Sequence, residues 1–470
     1  GKFSYLLVTF LALKTLLDMA TSEAFFTFVS KKPRSPEFLK IYGFWVVSQF
    51  VVSLIFIGIL LPDPLLDVLW EGETRLLLVL ALLAVFMQQA VWLNITNLAE
   101  SYRLSVYNQG IQTTVIVIHL LALIVLWLFD LLIIEFIFLA SILEWVVASI
   151  VLFKITRLKQ NETELLESYA PSMHQDTLNS VFKEFWVYTK FLIPYAWFGF
   201  FHDFTTRWML QHWGSASEQA YFAVALQLSS IALLATSSFI KIFWKEISEA
   251  YQLGNMKRVS QIYSQCSYSL YFISAVFAGA LLPWAREIIE ILLGPSYSDA
   301  LYTMQLMIFY PAHQTLGILT GTLLYATGHT KVQMILGLSF MTFSLAAGFI
   351  LMAPDSVWRY GLGLGSLGLS IKFVTVNAIF VNIWALVIAH LFGWKFKWLY
   401  QLTSLILVCS LGYISKMIAL NLVSSSAIIN MLVATFLFII FVGLLVYLRP
   451  VLLGVSRNEM MGFIRRIRMN

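Results

Sequence analysis

The sequence predicts an all-α integral membrane protein built of two parallel lobes, and three observations predict it. Of its 470 residues 60% are hydrophobic and 12% charged, with a mean hydropathy of +0.82, whereas a soluble domain holds about 45–50% apolar and about 25% charged residues. Apolar runs long enough to span a bilayer, about 20 residues each, recur thirteen times between short polar breaks. Residues of the first run return in the seventh at a fixed offset, so the chain carries an internal repeat.

The spans fall near residues 3–29, 41–61, 77–99, 108–129, 131–155, 186–204, 218–243, 264–284, 301–326, 331–353, 367–391, 398–420 and 425–448. Lys and Arg are retained in cytoplasmic loops. With the first span running inward, 21 of them lie in cytoplasmic segments and six outside, leaving Lys14, Lys190 and Lys372 within spans. That split predicts a multi-pass protein of the inner (plasma) membrane with a cytoplasmic C-terminus. The chain opens at Gly1 directly into a helix, so an upstream segment is expected before it.

The polar stretch 157–184, with Gln160, Asn161, Glu162 and Pro171, reads as a cytoplasmic linker. The expected domains are an N-terminal transmembrane lobe over 1–156, the linker over 157–184, a C-terminal lobe over 185–391, and two extra helices with a basic tail over 392–470. Outer loops of roughly 15 residues or fewer leave little room for a catalytic domain, so a carrier rather than an enzyme is expected. A net charge of +5 is too mild to indicate nucleic-acid binding. The two cysteines, Cys266 and Cys409, lie in apolar runs and form neither a disulfide framework nor a thiolate metal site.

In the repeat, Leu13, Ala20, Thr21, Ser22 and Phe28 return as Leu228, Ala235, Thr236, Ser237 and Phe243 at an offset of 215, and Gln88 returns as Gln314 at 226. An even number of crossings separates the first and seventh spans, so the repeat is parallel. Span 186–204 then lacks a partner, which is expected upstream of Gly1.

Six plus six helices in parallel halves with two more at the end resemble the polysaccharide-flippase (Wzx-like) branch of the multidrug/oligosaccharidyl-lipid/polysaccharide (MOP) exporter superfamily. The residues that carry the resemblance are Gly1–Tyr5 running into Leu17–Phe26, and Ala220–Ala225 leading to Lys245. It implies two six-helix lobes around a central cavity. It also implies movement of undecaprenyl-diphosphate-linked oligosaccharide, an O-antigen or other surface-polysaccharide repeat unit, to the outer leaflet by alternating access. The expected partners are that lipid-linked oligosaccharide, membrane lipids, a coupling H+ or Na+, and polysaccharide-assembly proteins, with no cofactor, metal or nucleic acid.

A charge at the bilayer centre costs about 2.5–3.5 kcal/mol on insertion scales, so such residues face a bundle interior or a water-filled cavity. Lys14 and Asp18 stand four apart, and Thr21, Ser22 and Phe25 continue their stripe at helical spacing. The resemblance implies that a basic residue here meets the lipid diphosphate, which makes Lys14 the leading candidate; alternatively Lys14 and Asp18 simply neutralise each other. Lys190 shares a face with Pro194 and Trp197, or else snorkels to the headgroups. Lys372, Thr375, Ile379 and Asn382 form a third stripe. Gln88, Gln227, His313 and Gln314 are candidates for sugar contacts, or for hydrogen bonds between helices.

Gly363, Gly365 and Gly368 match G-x-G-x-x-G, but no strand precedes them, so close helix packing is expected. Trp284–Leu293 reads as an amphipathic interfacial helix, and Arg465, Arg466 and Arg468 as a tail on anionic lipid. Two other functions stay open. One is a cation-coupled exporter of drugs or small amphiphiles on the same fold, with Asp18 binding the ion or a cationic drug; the other is a membrane glycosyltransferase or polymerase.

Overall fold

The computed structural model describes residues 2–32, 34–70, 73–166, 177–396, 398–422, 426–455 and 457. It is helical, with no strand among the described residues. By contacts the chain divides into two units: residues 1–200 with 328–334, and residues 201–327 with 335–470.

Unit 1 begins with α1 (Lys2–Asp18) and α2 (Thr21–Lys31). The continuous first span expected from the sequence is instead broken: Met19 and Ala20 take left-handed backbone, φ 51° and 59°. The Asp18 carboxylate, at the end of α1, accepts from the Ser22 amide at 3.3 Å and the Ser22 hydroxyl at 2.6 Å. It thus serves donors that the start of α2 leaves without an intrahelical partner. α3 (Pro36–Ile55) starts as its sequence dictates: Ser35 accepts from the Phe38 amide, and Pro36 has no N–H to leave unpaired.

A π-helical turn (Phe56–Leu60) precedes α4 (Asp63–Trp70), α5 (Arg75–Phe86), a second π-helical turn (Met87–Trp92) and α6 (Leu93–Ser101). α7 (Ser105–Leu128) and the 33-residue α8 (Ile134–Leu166) follow. Of the expected linker, 157–166 continue α8 and 167–176 lie outside the described residues. α9 (Leu178–Thr189) packs on α2 and α3 within unit 1. The buried Arg34 guanidinium forks onto Glu184 at 2.5 and 3.0 Å and lies over Phe38, and Tyr188 pairs with Thr27 at 3.0 Å.

α10 (Leu192–Trp213) runs nine residues past the expected end of span six. Pro194 lacks the N–H that would bond the Lys190 carbonyl, so the chain breaks between α9 and α10. Unit 2 continues with α11 (Ala216–Ser230) and α12 (Leu233–Gln252), bent by 55° where one span was expected. Both helices related by the repeat are therefore broken, at Met19–Ala20 and at Ile231–Ala232.

α13 (Met256–Leu281) leads to the interfacial segment expected from Trp284, which is α14 (Ala285–Leu293). α15 (Leu301–Met307), α16 (Tyr310–Ala326), α17 (Thr330–Met352) and α18 (Gly365–Phe392) follow, then α19 (Leu399–Leu422) and α20 (Ala427–Leu448). α13 and α19 cross almost in backbone contact, because a Cβ on Gly412 would sit 2.0 Å from the Gly279 carbonyl oxygen. The G-x-G-x-x-G stretch is packing, as expected. Gly363 and Gly365 have positive φ, the Glu218 carboxylate caps the Ser366 amide at 2.6 Å, and Gly368 lies against the Leu351 carbonyl.

Eight helices among the described residues are long and apolar enough to cross a membrane, and α11 with α12 makes a ninth as one bent span. Of the other expected spans, three are broken helices (α1 with α2, α9 with α10, α15 with α16), and α13 carries Ser264, Gln265, Ser267, Ser269 and Ser274. The tail with Arg465, Arg466 and Arg468 lies outside the described residues.

Candidate functional site

Five helices of unit 2 enclose a cavity of about 640 Å³, within the size range of small-molecule sites. Helical spacing places its wall. α10 contributes His202, Asp203, Thr206 and Arg207. α11 contributes a stripe at steps of three and four: Gln219, Phe222, Ala223, Leu226, Gln227 and Ser230. α16 adds Tyr310 and Gln314, α17 adds Phe340 and Ser344, and α18 adds Leu369, Lys372, Phe373 and Asn377.

Lys372 dominates the electrostatics. It is 2% exposed, and its ammonium makes one long hydrogen bond, 3.4 Å to the Thr206 hydroxyl, and lies 4.8 Å over the Phe373 ring. An ammonium has three donors, so two are unused among the described residues, and none of their carboxylates forms an ion pair with it. Arg207 lines the same space and forms no ion pair among the described residues. The single carboxylate of the wall, Asp203, contacts His202 Nδ1 at 2.9 Å, while His202 Nε2 meets the Ser344 hydroxyl at 3.0 Å. Asn377 donates to Gln314 at 2.9 Å. Two cations against one carboxylate give the wall a net positive charge, and Phe222, Tyr310, Phe340 and Phe373 give it an apolar aromatic side. The cavity suits an amphiphile with an anionic group.

Of the sequence candidates, Gln227, Gln314 and Lys372 come together in this wall. His313 is Gln314's neighbour on α16 but stands outside the lining, its Nδ1 buried without a partner among the described residues and its ring 6.0 Å from that of Tyr271. Lys14, Asp18, Gln88 and Lys190 belong to unit 1. Lys14 lies 3.5 Å from Asp18, so the pair the sequence offered as mutual neutralisation is formed. The break at Met19 and Ala20 ends the single continuous stripe expected from Lys14 to Phe25. Lys190 is exposed at the end of α9, 4.9 Å over the Phe191 ring.

His202, Asp203, Arg207 and Asn377 were not among the sequence candidates. Ending span six at residue 204 put Arg207 in an outer loop; the i, i+4 spacing of Asp203 and Arg207 was the signal that could have kept them on one helix. Glu23 was missed as well. It is half-buried near Asp18, with one carboxylate oxygen buried and unpartnered among the described residues.

No family model matches the chain, and no curated protein matches it in sequence. Solved structures do match in fold. A structure of the outward-facing conformation of a multidrug resistance MATE family transporter of the MOP superfamily aligns at 12% identity over 84% of this chain and 89% of its own, with a TM-score of 0.60. A MOP superfamily transporter from Pyrococcus furiosus, described as having a binding pocket of reverse polarity, aligns at 14% identity over 84% and 89%, TM-score 0.58. The Vibrio cholerae MATE transporter VcmN in its bent form aligns at 13% identity over 83% and 88%, TM-score 0.58. The chain therefore has the all-helical membrane fold seen in MATE transporters of the MOP superfamily.

Proposed function

We propose that this protein is an exporter of amphipathic molecules that carry an anionic group, with the unit 2 cavity as the binding site. The observation that carries the reading is Lys372, buried, without an ion-pair partner among the described residues, in a wall that also holds four aromatic rings. Leaving such a charge unpaired is costly, and an anionic ligand would repay it. The multidrug function stated for one fold neighbour supports export of small amphiphiles over the lipid-linked oligosaccharide. Coupling falls to unit 1, where two carboxylates, the buried Asp18 and the half-buried Glu23, stand near one ammonium, Lys14, and a proton or Na+ would neutralise the excess. The test is export from proteoliposomes under a proton or Na+ gradient, comparing amphiphiles that differ only in the sign of their charge. Export of the anionic probe, lost in Lys372→Met, is expected; export of only the cationic probe would refute the reading.

Flipping of a lipid-diphosphate oligosaccharide is the second reading, favoured by the two cations Lys372 and Arg207 in one wall, which suit a diphosphate. It calls for Lys372-dependent translocation of the lipid-linked sugar in the same vesicles. Lys14, with its carboxylate partner already in place, is no longer the leading residue for that anion.

A further inference from the structure

Unit 1 holds a second concavity, a groove of about 320 Å³ between α3 and the α9–α10 start. Ile41, Phe44 and Trp45 form one wall, Leu178, Phe182, Phe185, Trp186 and Ile193 the other, and Met19 and Thr21 the floor. Phe44 is 76% and Phe182 66% exposed, so the groove opens sideways out of the unit.

Four lining residues carry hydroxyls, and each hydroxyl has a hydrogen-bond partner inside the protein. Tyr42 donates to Asn94 at 3.0 Å, Ser48 to the Trp45 carbonyl at 2.7 Å and Thr189 to the Phe185 carbonyl at 2.9 Å, while Thr21 accepts from the Trp45 indole at 3.1 Å. What the groove presents is hydrocarbon, which excludes a sugar or a polar solute. Its length fits a lipid tail: α9 from Leu178 to Thr189 covers about 17 Å at about 1.5 Å per residue, against about 15 Å for half of a 30 Å hydrocarbon core. At the end where α3 and α9 both begin, Lys40 stands one turn before Phe44 and Lys183 beside Phe182, both exposed and, among the described residues, neither in an ion pair.

We propose that this groove binds one acyl chain of an anionic glycerophospholipid, with Lys40 and Lys183 holding the headgroup phosphate. The inner end of the chain rests on Met19 and Thr21, at the break between α1 and α2, so the lipid props the break that positions Asp18. This site is independent of the unit 2 cavity and of what that cavity carries.

Trp45 and Trp186 line the groove and report its occupancy. The full chain is placed in phosphatidylcholine nanodiscs and titrated with phosphatidylglycerol brominated on its acyl chains; the converse titration uses brominated phosphatidylcholine in phosphatidylglycerol. Brominated phosphatidylglycerol is expected to quench a tryptophan component at a several-fold lower mole fraction than brominated phosphatidylcholine. Lys40→Ala with Lys183→Ala should abolish that preference, Ser48→Phe should fill the groove and abolish the component, and Trp45→Phe with Trp186→Phe should delete it. Equal quenching by both lipids, or a phosphatidylglycerol preference unchanged in the lysine variant or unmoved by Ser48→Phe, would overturn the assignment.

Discussion

Lys372 is the residue at which function and stability pull apart. It is 2% exposed and its ammonium has one long hydrogen bond, so replacing it by methionine, of similar length and no charge, removes a desolvation cost. Lys372→Met is expected to stabilise the empty protein by about 1–3 kcal/mol, read as a higher unfolding temperature in detergent, while anionic transport falls. A lower unfolding temperature would mean that Lys372 is structural. His329, in the turn between α16 and α17, gives a different residue-scale test. Burial, and then the Lys31 ammonium, push its pKa below the ordinary 6.5. The folded state thus binds the proton less well than the unfolded state, so its contribution to stability is complete above pH of about 6.5 and is lost as pH falls from there through the lowered native value. His329→Gln is expected to flatten the acid limb of a stability–pH curve; an unchanged limb would show that other groups govern it. At this scale the sequence was informative wherever a polar residue stood inside an apolar run, which is how Gln227, Gln314 and Lys372 were found. It was silent on direction, since His313 and Gln314 are neighbours and only Gln314 faces the cavity.

Elements follow from simple chemistry at most of their ends. Ser35 with Pro36, Thr177 with Ser180, Ser215 and Asn255 are side-chain caps of the kind sequence announces. Breaks inside spans were not announced. Neither Met19–Ala20 nor Ile231–Ala232 contains glycine or proline, and an unbroken apolar run hides a change of helix direction. Ala20 at φ 59° pays a Cβ penalty that glycine avoids. Ala20→Gly is expected to preserve or raise stability, and Ala20→Val to lower it by about 1 kcal/mol or more; equal stability of the two variants would contradict the left-handed break. The α13–α19 crossing is equally exact in its demand for a missing side chain. Gly412→Ala places a methyl group 2.0 Å from the Gly279 carbonyl oxygen, and a loss of about 2 kcal/mol or more is expected from thermal unfolding.

Across the whole molecule, composition and run length made the membrane class and the helical architecture plain, because hydrocarbon imposes both on any chain that spans it. The two helices that the sequence pairs as a repeat are both broken, at nearly corresponding places. The cavity was only partly legible: α10 runs to Trp213, beyond the point where its apolar run thins, and so carries Thr206 and Arg207 into a wall that an early helix end had cut short. What that wall holds is the central claim. Equilibrium binding of two amphiphiles with the same apolar body, one ending in a phosphate and one in a trimethylammonium, to the purified full chain and to Lys372→Met tests it directly. Tighter binding of the phosphate probe, weakened at least about tenfold in Lys372→Met, roughly one charge-assisted hydrogen bond, is the result expected. Preference for the trimethylammonium probe, or phosphate binding indifferent to Lys372, would contradict it.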